Sequence, residues 1–307
     1  VIDLHTHSNY SDGSDSPAEL AARARRLGLR AIALTDHDTT ASHGDMAAAC
    51  AFEGIELVPG VEISLLDTVF ARHDDQGEPR PRGVHVLAYF LPLDDEHPVQ
   101  RVLARLRRDR AERNERLVQR LREFGFERLS LEAVTARASH SEGVGRPHFA
   151  TAMFELHPEI VGERTPESWS RVFVDWLGTS GRAYVPKTTL TIESVIEVAQ
   201  GSGTVFSIAH PLLNYLPDYS AASIEERMPK ILASLRDRGV TGVEAYYGGT
   251  TATTRALMVK LTRDAGLIPT GGSDYHGLFK HDVSLGVGHS GDLHVPDEIL
   301  DELRAAR

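Results

Sequence analysis

The sequence begins VIDLHTHSNYSDG, with His5 and His7 one residue apart and Asp12 close behind, just before a glycine turn. Imidazole and carboxylate side chains bind divalent cations without help from sulfur. Alternate residues of a strand share a face, so a short strand over Ile2 to Leu4 aims both histidines the same way. Alone, an HxH pair is a weak signal, because two polar residues at a strand end look the same. Comparable residues recur after other apolar runs, however: Asp36, His37 and Asp38 after RAIALT, Glu62 after IELVPGV, His85 within GVHVLAYF, His210 after TVFSIA, and Asp274 with His276 after LIPTGGS. Burying so many polar groups together without a compensating charge is costly. A cluster of cations is the economical explanation, and the donors outnumber what one four-coordinate ion uses. Histidine with Asp and Glu, and no cysteine, points to Zn, Mn or Fe.

Convergence of this kind needs a fold that brings strand ends to one face. PAELAARARRLGL has apolar residues at helical spacing, with Ser16 as N-cap and Pro17 at the first helical position, and RAIALT follows as a buried strand. The rhythm continues through HGDMAAACAFEG and IELVPGVEIS. It resumes with TIESVIEVAQGSG before TVFSIAHP, IEERMPKILASLRDRG before VTGVEAYY, and TTRALMVKLTRDAG before LIPTGGSDYH, giving about seven strand–helix units. In a barrel-like α/β fold the carboxyl ends of the strands meet at one face. EISLLDTVF and GVHVLAYFL read as a hairpin joined by the polar loop DDQGEPRPRG.

Residues 95–182 break the rhythm and are expected to form a helical insertion over the site, with 1–94 and 183–307 making the catalytic barrel. HPVQRVLARLRRDRAERNERLVQRLREFG predicts one long amphipathic helix, with Val99, Val102, Leu103, Leu106, Leu117, Val118 and Leu121 on or near one stripe. Its arginines are expected to form a solvated face paired at i,i+4 with Asp109, Glu112 and Glu115, with one or two turned toward an anionic substrate.

A chain of 307 residues, 41% hydrophobic and 25% charged, is long enough for one large α/β domain with insertions or for two ordinary domains. No apolar run is long enough to span a bilayer and no secretion signal is evident, so a cytoplasmic protein is expected. The single cysteine, Cys50 in MAAACAFEG, reads as a buried helix residue. A net charge of −11 disfavours long nucleic acid but permits a small anionic substrate held by metal ions. Neither a membrane nor an obligate protein partner is expected.

HTHSNYSDG, LTDHDT, GVEIS, VHVLAY, IAHP and GSDYHG, in that order, resemble the successive motifs of the PHP (polymerase and histidinol phosphatase) family of metal-dependent phosphoesterases. The match covers nearly the whole chain outside the insertion. It implies an α/β fold, a distorted (β/α)7 TIM-like barrel, carrying up to three divalent metal ions. By motif, it implies one ion held by His5, His7, Glu62 and Asp274, a second by Glu62, His85 and His210, and a third by Asp12, His37 and His276. Glu62 then bridges two ions, and His73, in the polar loop, is the poorer alternative to His85. Clustered divalent ions lower the pKa of a shared water and polarise phosphoryl oxygens, so no serine or cysteine nucleophile is required.

GVGRPHFA and AYVPK add Arg146, His148 and Lys187, which resemble the family's substrate-binding positions. Arg146 suits bidentate contact with phosphate and Lys187 supplies a point charge. His148 is a candidate to protonate the leaving alkoxide or to orient substrate, and Asp12 is a candidate catalytic group as well as a ligand. Arg110 and Arg113 are the helix arginines expected to reach substrate. Asp36 and Asp38 are expected to support ligands or cap helices, and Glu244 is given no catalytic role. The TDHDT and GVEIS forms, with an insertion after VHVLAYF, resemble the branch acting on nucleotides: nucleoside monophosphates such as AMP, nucleoside 3′,5′-bisphosphates and short 5′-phosphorylated oligonucleotides. The reaction implied is phosphomonoester hydrolysis. Histidinol phosphate is the alternative substrate within the family; a non-catalytic metal-binding module and a metal-dependent amidohydrolase are the alternatives of other classes.

Overall fold

The structure is a computed structural model that describes residues 1–307 apart from 74–76, 141–142, 187–189 and 217. Seven strands lie side by side in sequence order: β1 (Ile2–Asp3), β2 (Ala31–Leu34), β3 (Glu56–His73), β4 (Pro79–Tyr89), β5 (Val205–Ile208), β6 (Gly242–Tyr247) and β7 (Ile268–Gly272). Neighbours are parallel except around β4, which runs antiparallel to both β3 and β5. The sheet curls into a barrel with one seam. There β7 returns beside β1, and the Leu4 N–H donates to the Gly271 carbonyl (3.2 Å) and the Asp274 N–H to that of His5 (2.9 Å). Gly272 permits this approach, since a Cβ at that position would stand 2.5 Å from the His5 Cβ. This is the distorted seven-stranded α/β barrel expected from the sequence.

The hairpin differs in detail. IELVPGV and EISLLDTVF form one 18-residue strand, β3, and β4 begins at Pro79, inside the stretch expected to be loop. Period-two alternation explains why β3 stays continuous: Val61, Ile63 and Leu65 pack outward under the helices, and Glu62 points to the barrel interior.

The helices are α1 (Pro17–Arg26), α2 (His43–Glu53), α3 (Pro98–Glu123), α4 (Leu131–Thr135), α5 (Arg146–Leu156), α6 (Pro158–Val161), α7 (Pro166–Val172), α8 (Ile192–Val198), α9 (Pro211–Tyr215), α10 (Ala221–Asp237), α11 (Ala252–Asp264) and α12 (Glu298–Ala305). At the start of α1, Ser16 and Glu19 form a capping box with Pro17 in the first turn. Cys50 is buried in α2, and burial pushes its thiol up to about 11. Among the described residues no helix is long and apolar enough to cross a membrane.

Helix α3 starts where His97 Nδ1 accepts the Val99 N–H (3.2 Å) and spans two cores. Val99, Leu103 and Leu106 pack with the barrel and α8, α10 and α11, while Leu117, Val118 and Leu121 pack with Phe126, Phe149 and Met153 of the segment between β4 and β5. Among the described residues no ion pair joins its arginines to Asp109, Glu112 or Glu115, so the expected i,i+4 pairing is not formed. Several arginines turn toward the barrel instead, because the apolar stripe that seats the helix carries them there.

Candidate functional site

Glu62 lies on β3 at the barrel mouth, 1% exposed, with five imidazoles around its carboxylate. His85 Nδ1 (2.8 Å) and His210 Nε2 (3.0 Å) approach one oxygen; His7 Nε2 (3.1 Å), His37 Nδ1 (3.1 Å) and His5 Nε2 (3.3 Å) approach the other. A second carboxylate, Asp12, faces His276 Nε2 at 3.3 Å and His7 and His37 at 3.7 Å. A third, Asp274, stands 3.5 Å from His5 and 3.6 Å from His7. All nine residues expected at a metal cluster are thus brought together, from six of the seven strands or the loops that follow them.

Local backbone geometry turns several of these side chains inward. Asp38, His210 and Asp274 hold positive φ angles of 56°, 29° and 57°, a conformation that costs non-glycine residues of order 1–3 kcal/mol each and clusters at functional sites. Because β4 runs the other way, His85 comes from within its strand, four residues before Tyr89, and pairs in register with Ser64. His73 lies at the exposed far end of β3.

Hydrogen-bond chemistry shows what the centre lacks. His5 Nδ1 donates to Glu244 Oε1 (2.9 Å) and His276 Nδ1 to the Asp274 carbonyl (2.8 Å). In the neutral rings this leaves Nε2 of each as a lone pair facing a carboxylate oxygen, which is repulsive unless positive charge lies between them. Asp12 Oδ1, His37 Nδ1 and His210 Nδ1 are buried without a hydrogen-bond partner of acceptable geometry. Burial disfavours a charged His5, yet the carboxylates of Glu244, Glu62 and Asp274 outweigh it and hold its pKa well above the ordinary value. Burial lowers His37 well below its usual range despite Glu62 and Asp12, keeping its ring neutral and able to act as a ligand. Glu62 and Asp274 are both held well below the ordinary carboxylate range: burial opposes this, but the imidazoles prevail at Glu62 and Lys280 with His5 at Asp274. Anionic carboxylates interleaved with imidazoles, the carboxylates strong enough to draw His5 toward its charged form where no cation stands between them, fit divalent cations.

Three groups have ligand atoms within 4.8 Å of one another: His7, Asp12, His37 and His276; His5, His7 and Asp274; and His37, Glu62 and His85. This shares His7 and His37 between neighbouring groups, whereas the resemblance implied that Glu62 is the shared residue; here Glu62 falls in one group and His210 in none.

The supporting residues divide by partner. Asp36 accepts from the Ser8 N–H (2.8 Å) and from the hydroxyls of Ser8, Ser11 and Ser42 (each 2.6 Å), and so fixes the turn that carries Asp12. That turn is tight enough that a Cβ on Gly13 would stand 2.3 Å from the His7 carbonyl oxygen. Asp38 accepts from the Ser64 N–H (2.7 Å) and is ion-paired with Arg110. Arg110 is therefore committed to the barrel, whereas Arg113 has no hydrogen bond or ion pair among the described residues. Arg146, at the start of α5, opens into the cavity above the cluster. His148, 2% exposed, accepts the Gly145 N–H on Nδ1 (3.0 Å) and does not line that cavity. Lys187 lies outside the described residues.

Two further residues support the cluster: Glu244, noted in the sequence without a catalytic role, and Lys280, which the sequence did not single out. Glu244 is fully buried; it takes the His5 ring N–H and, through its other oxygen, the His210 backbone N–H (2.6 Å). Lys280 places Nζ 2.6 Å from Asp274 Oδ2. The cavity above the cluster, about 700 Å³, has the donors on its floor, Arg146 and Lys280 at its side, and Trp169, Phe173 and Phe279 on its walls.

A family model described as PHP domain matches residues 3–155. The chain is 30% identical over 279 residues to a 5′-3′ exoribonuclease of Haemophilus influenzae, covering 89% of each protein. It is 28% identical over 293 residues to a 3′,5′-nucleoside bisphosphate phosphatase of Chromobacterium violaceum, covering 95% of this chain and 92% of that one. Among solved structures, a Bifidobacterium adolescentis protein assigned as a metal-dependent phosphoesterase superposes with a TM-score of 0.75 at 27% identity, covering 99% of this chain and 96% of that one.

Proposed function

The chain belongs to the PHP family of metal-dependent phosphoesterases, and from that premise we propose that it releases phosphate from small nucleotides, nucleoside monophosphates or 3′,5′-bisphosphates, in the cavity above Glu62. The observation that carries this reading is the cavity itself, whose lining combines carboxylates and imidazoles with Arg146 and aromatic side chains. In this reading His5, His7, Glu62 and Asp274 hold one divalent ion, Glu62, His85 and His210 a second, and Asp12, His37 and His276 a third, with Mn, Zn and Fe the matching metals. Such ions, when bound, neutralise the phosphoryl oxygens and lower the pKa of a water between them.

The protein's own groups do the rest. Arg146 clamps the phosphoryl oxygens in a bidentate fork. Lys280 holds the outer oxygen of Asp274, which leaves the inner one directed at His5 and His7. Phe173 and Phe279 on the cavity wall offer ring surface for a nucleobase, stacking being worth about 1–3 kcal/mol per base in comparable settings, while the Trp169 ring is itself engaged by Arg164 (4.3 Å to its centroid) and Phe154. That wall supports a nucleotide over histidinol phosphate. His148 is left to shape the start of α5. The single buried cysteine accords with a cytoplasmic enzyme.

A second reading is 5′-3′ trimming of short phosphorylated oligonucleotides, favoured by the likeness to the Haemophilus exoribonuclease. Metal content per chain, combined with phosphate release from AMP, adenosine 3′,5′-bisphosphate, histidinol phosphate and a 5′-phosphorylated oligoribonucleotide, decides between them. Glu62→Gln is expected to lose metal and activity together while the chain still folds; full activity with unchanged metal would sink the reading. Degradation of the oligonucleotide without phosphate release from mononucleotides makes the enzyme a nuclease.

A further inference from the structure

The turn that carries Asp12 is tied down by hydrogen bonds over only part of its length. Asp36 fixes Ser8 and Ser11. Asp12 follows directly, yet its Oδ1 is buried without a hydrogen-bond partner of acceptable geometry, so packing must orient the carboxylate. The packing comes from the segment between β4 and β5. A Cβ on Gly143 would stand 2.6 Å from the Tyr10 carbonyl oxygen and 2.7 Å from that of Ser11. One on Gly145 would stand 3.2 Å from both Cβ and Oδ2 of Asp12. Neither glycine has a positive φ, so close approach and not backbone conformation is what calls for glycine here.

Several contacts hold the two glycines in place. Asn114 of α3, 4% exposed, donates from Nδ2 to the Val144 carbonyl (3.0 Å), and Val144 is buried in the core around Phe149. The His148 ring, which accepts the Gly145 N–H, meets Phe279 edge-on with centroids 5.2 Å apart. Phe279 lies just past His276, the imidazole 3.3 Å from Asp12. Further out, the His140 ring stacks on Tyr10 with centroids 3.9 Å apart.

We infer that Gly143, Val144 and Gly145 form a brace for Asp12, with Asn114, Gly145 and His148 as positioning residues for the ion site of Asp12, His37 and His276. The inference rests on the proposed ligand set and adds to it that this one ion is held firmly only while the segment between β4 and β5 is seated on the barrel. Arg146 follows Gly145 directly, so the same contact also sets the phosphate-binding arginine against the ligand.

The experiment measures Zn²⁺ binding by competition with a chromophoric chelator in the wild type, Asp12→Asn, Asn114→Ala, Gly145→Ala and the double variant Asp12→Asn/Asn114→Ala. Asn114→Ala and Gly145→Ala are expected to weaken one equivalent of Zn²⁺ at least tenfold and to leave the others at wild-type affinity. Asp12→Asn is expected to lose that same equivalent, and adding Asn114→Ala to it to change nothing further, because the residue through which Asn114 acts is already gone. Unchanged affinities, an equal weakening of every equivalent, or a full additional loss in the double variant overturns the brace. If Gly145→Ala does not fold, Asn114→Ala, which adds no atom, decides alone. If Asp12→Asn keeps every equivalent, Asp12 is no ligand and that part of the ligand set falls. The brace is then decided by amide hydrogen exchange of Ser11 and Gly13 in the metal-free protein: faster exchange in Asn114→Ala than in the wild type upholds it, and equal exchange overturns it.

Discussion

Glu244 and His5 are 239 residues apart in sequence and 2.9 Å apart in space, joined through the ring nitrogen of His5 that faces away from Glu62. This contact sets the tautomer and turns Nε2 toward the cluster, the role carboxylates play behind ligating histidines, and its loss typically lowers metal affinity about 10- to 100-fold. Glu244→Gln is therefore expected to weaken metal binding by that factor without unfolding the chain, as read by competition with a chromophoric chelator. An affinity equal to wild type would leave Glu244 a merely buried acid.

Arg110 and Arg113 lie one turn apart on α3, yet their predicted effects differ in kind. Arg110 pairs with the buried Asp38, so Arg110→Met strands a carboxylate and is expected to cost about 3 kcal/mol in urea unfolding of the metal-free protein. Arg113→Met removes a cation from among cations and is expected to change stability by less than about 1 kcal/mol. Equal costs would contradict this division of labour.

Asp67, fully buried, accepts from Tyr215 Oη (2.8 Å) and Arg238 (3.1 Å). Burial pushes its pKa up, but these hydrogen bonds outweigh it and hold it below the ordinary value. A depressed folded-state pKa contributes stability that is complete above the unfolded value, about 3.9, and is lost as pH falls through the folded one. The wild type should exceed Asp67→Asn by about 1.5–3 kcal/mol at pH 7, with the gap narrowing only below about pH 4. A gap that persists undiminished to pH 2 would show that packing, not charge, is at stake.

His148 spends Nδ1 on the Gly145 N–H. Phosphate release by His148→Gln, whose side-chain carbonyl also accepts, is expected to keep the wild-type pH profile. Disappearance of the alkaline limb would make His148 the proton donor to the leaving group.

How much of this was legible depends on whether the information was local. The histidines and carboxylates around Glu62 follow apolar runs, and strand periodicity alone aims His5 and His7 together. The reversed direction of β4 was written in the hairpin, but not that β3 would run unbroken from Glu56 to His73. Glu244 sits within the apolar run of β6 much as the candidate ligands sit in or after theirs, and only the closure that brings β6 near β1 shows that it faces a ring nitrogen rather than an ion. Lys280 sits in a short turn after β7, where no periodicity applies. The choice between Arg110 and Arg113 depends on how α3 is rotated against the barrel, which is decided by Leu103 and Leu106 finding the core shared with β3 and β4. Sequence spacing carries no such angle.

The double anchorage of α3 gives the arginines a mechanical setting. A lid on flexible hinges carries its charges away when it opens and must re-form the field at each turnover. Here Arg107, Arg110 and Arg113 follow directly on turns clamped by Val99, Leu103 and Leu106, and the same unbroken rod continues into the core of the insertion. Their positions are thus set during folding rather than at substrate arrival, so the cost of reorganising charge is already met before encounter. The far end of the rod, beyond Leu117, carries the core from which the cavity's aromatic wall is built, so one helix fixes both the charges and the wall that face the same space.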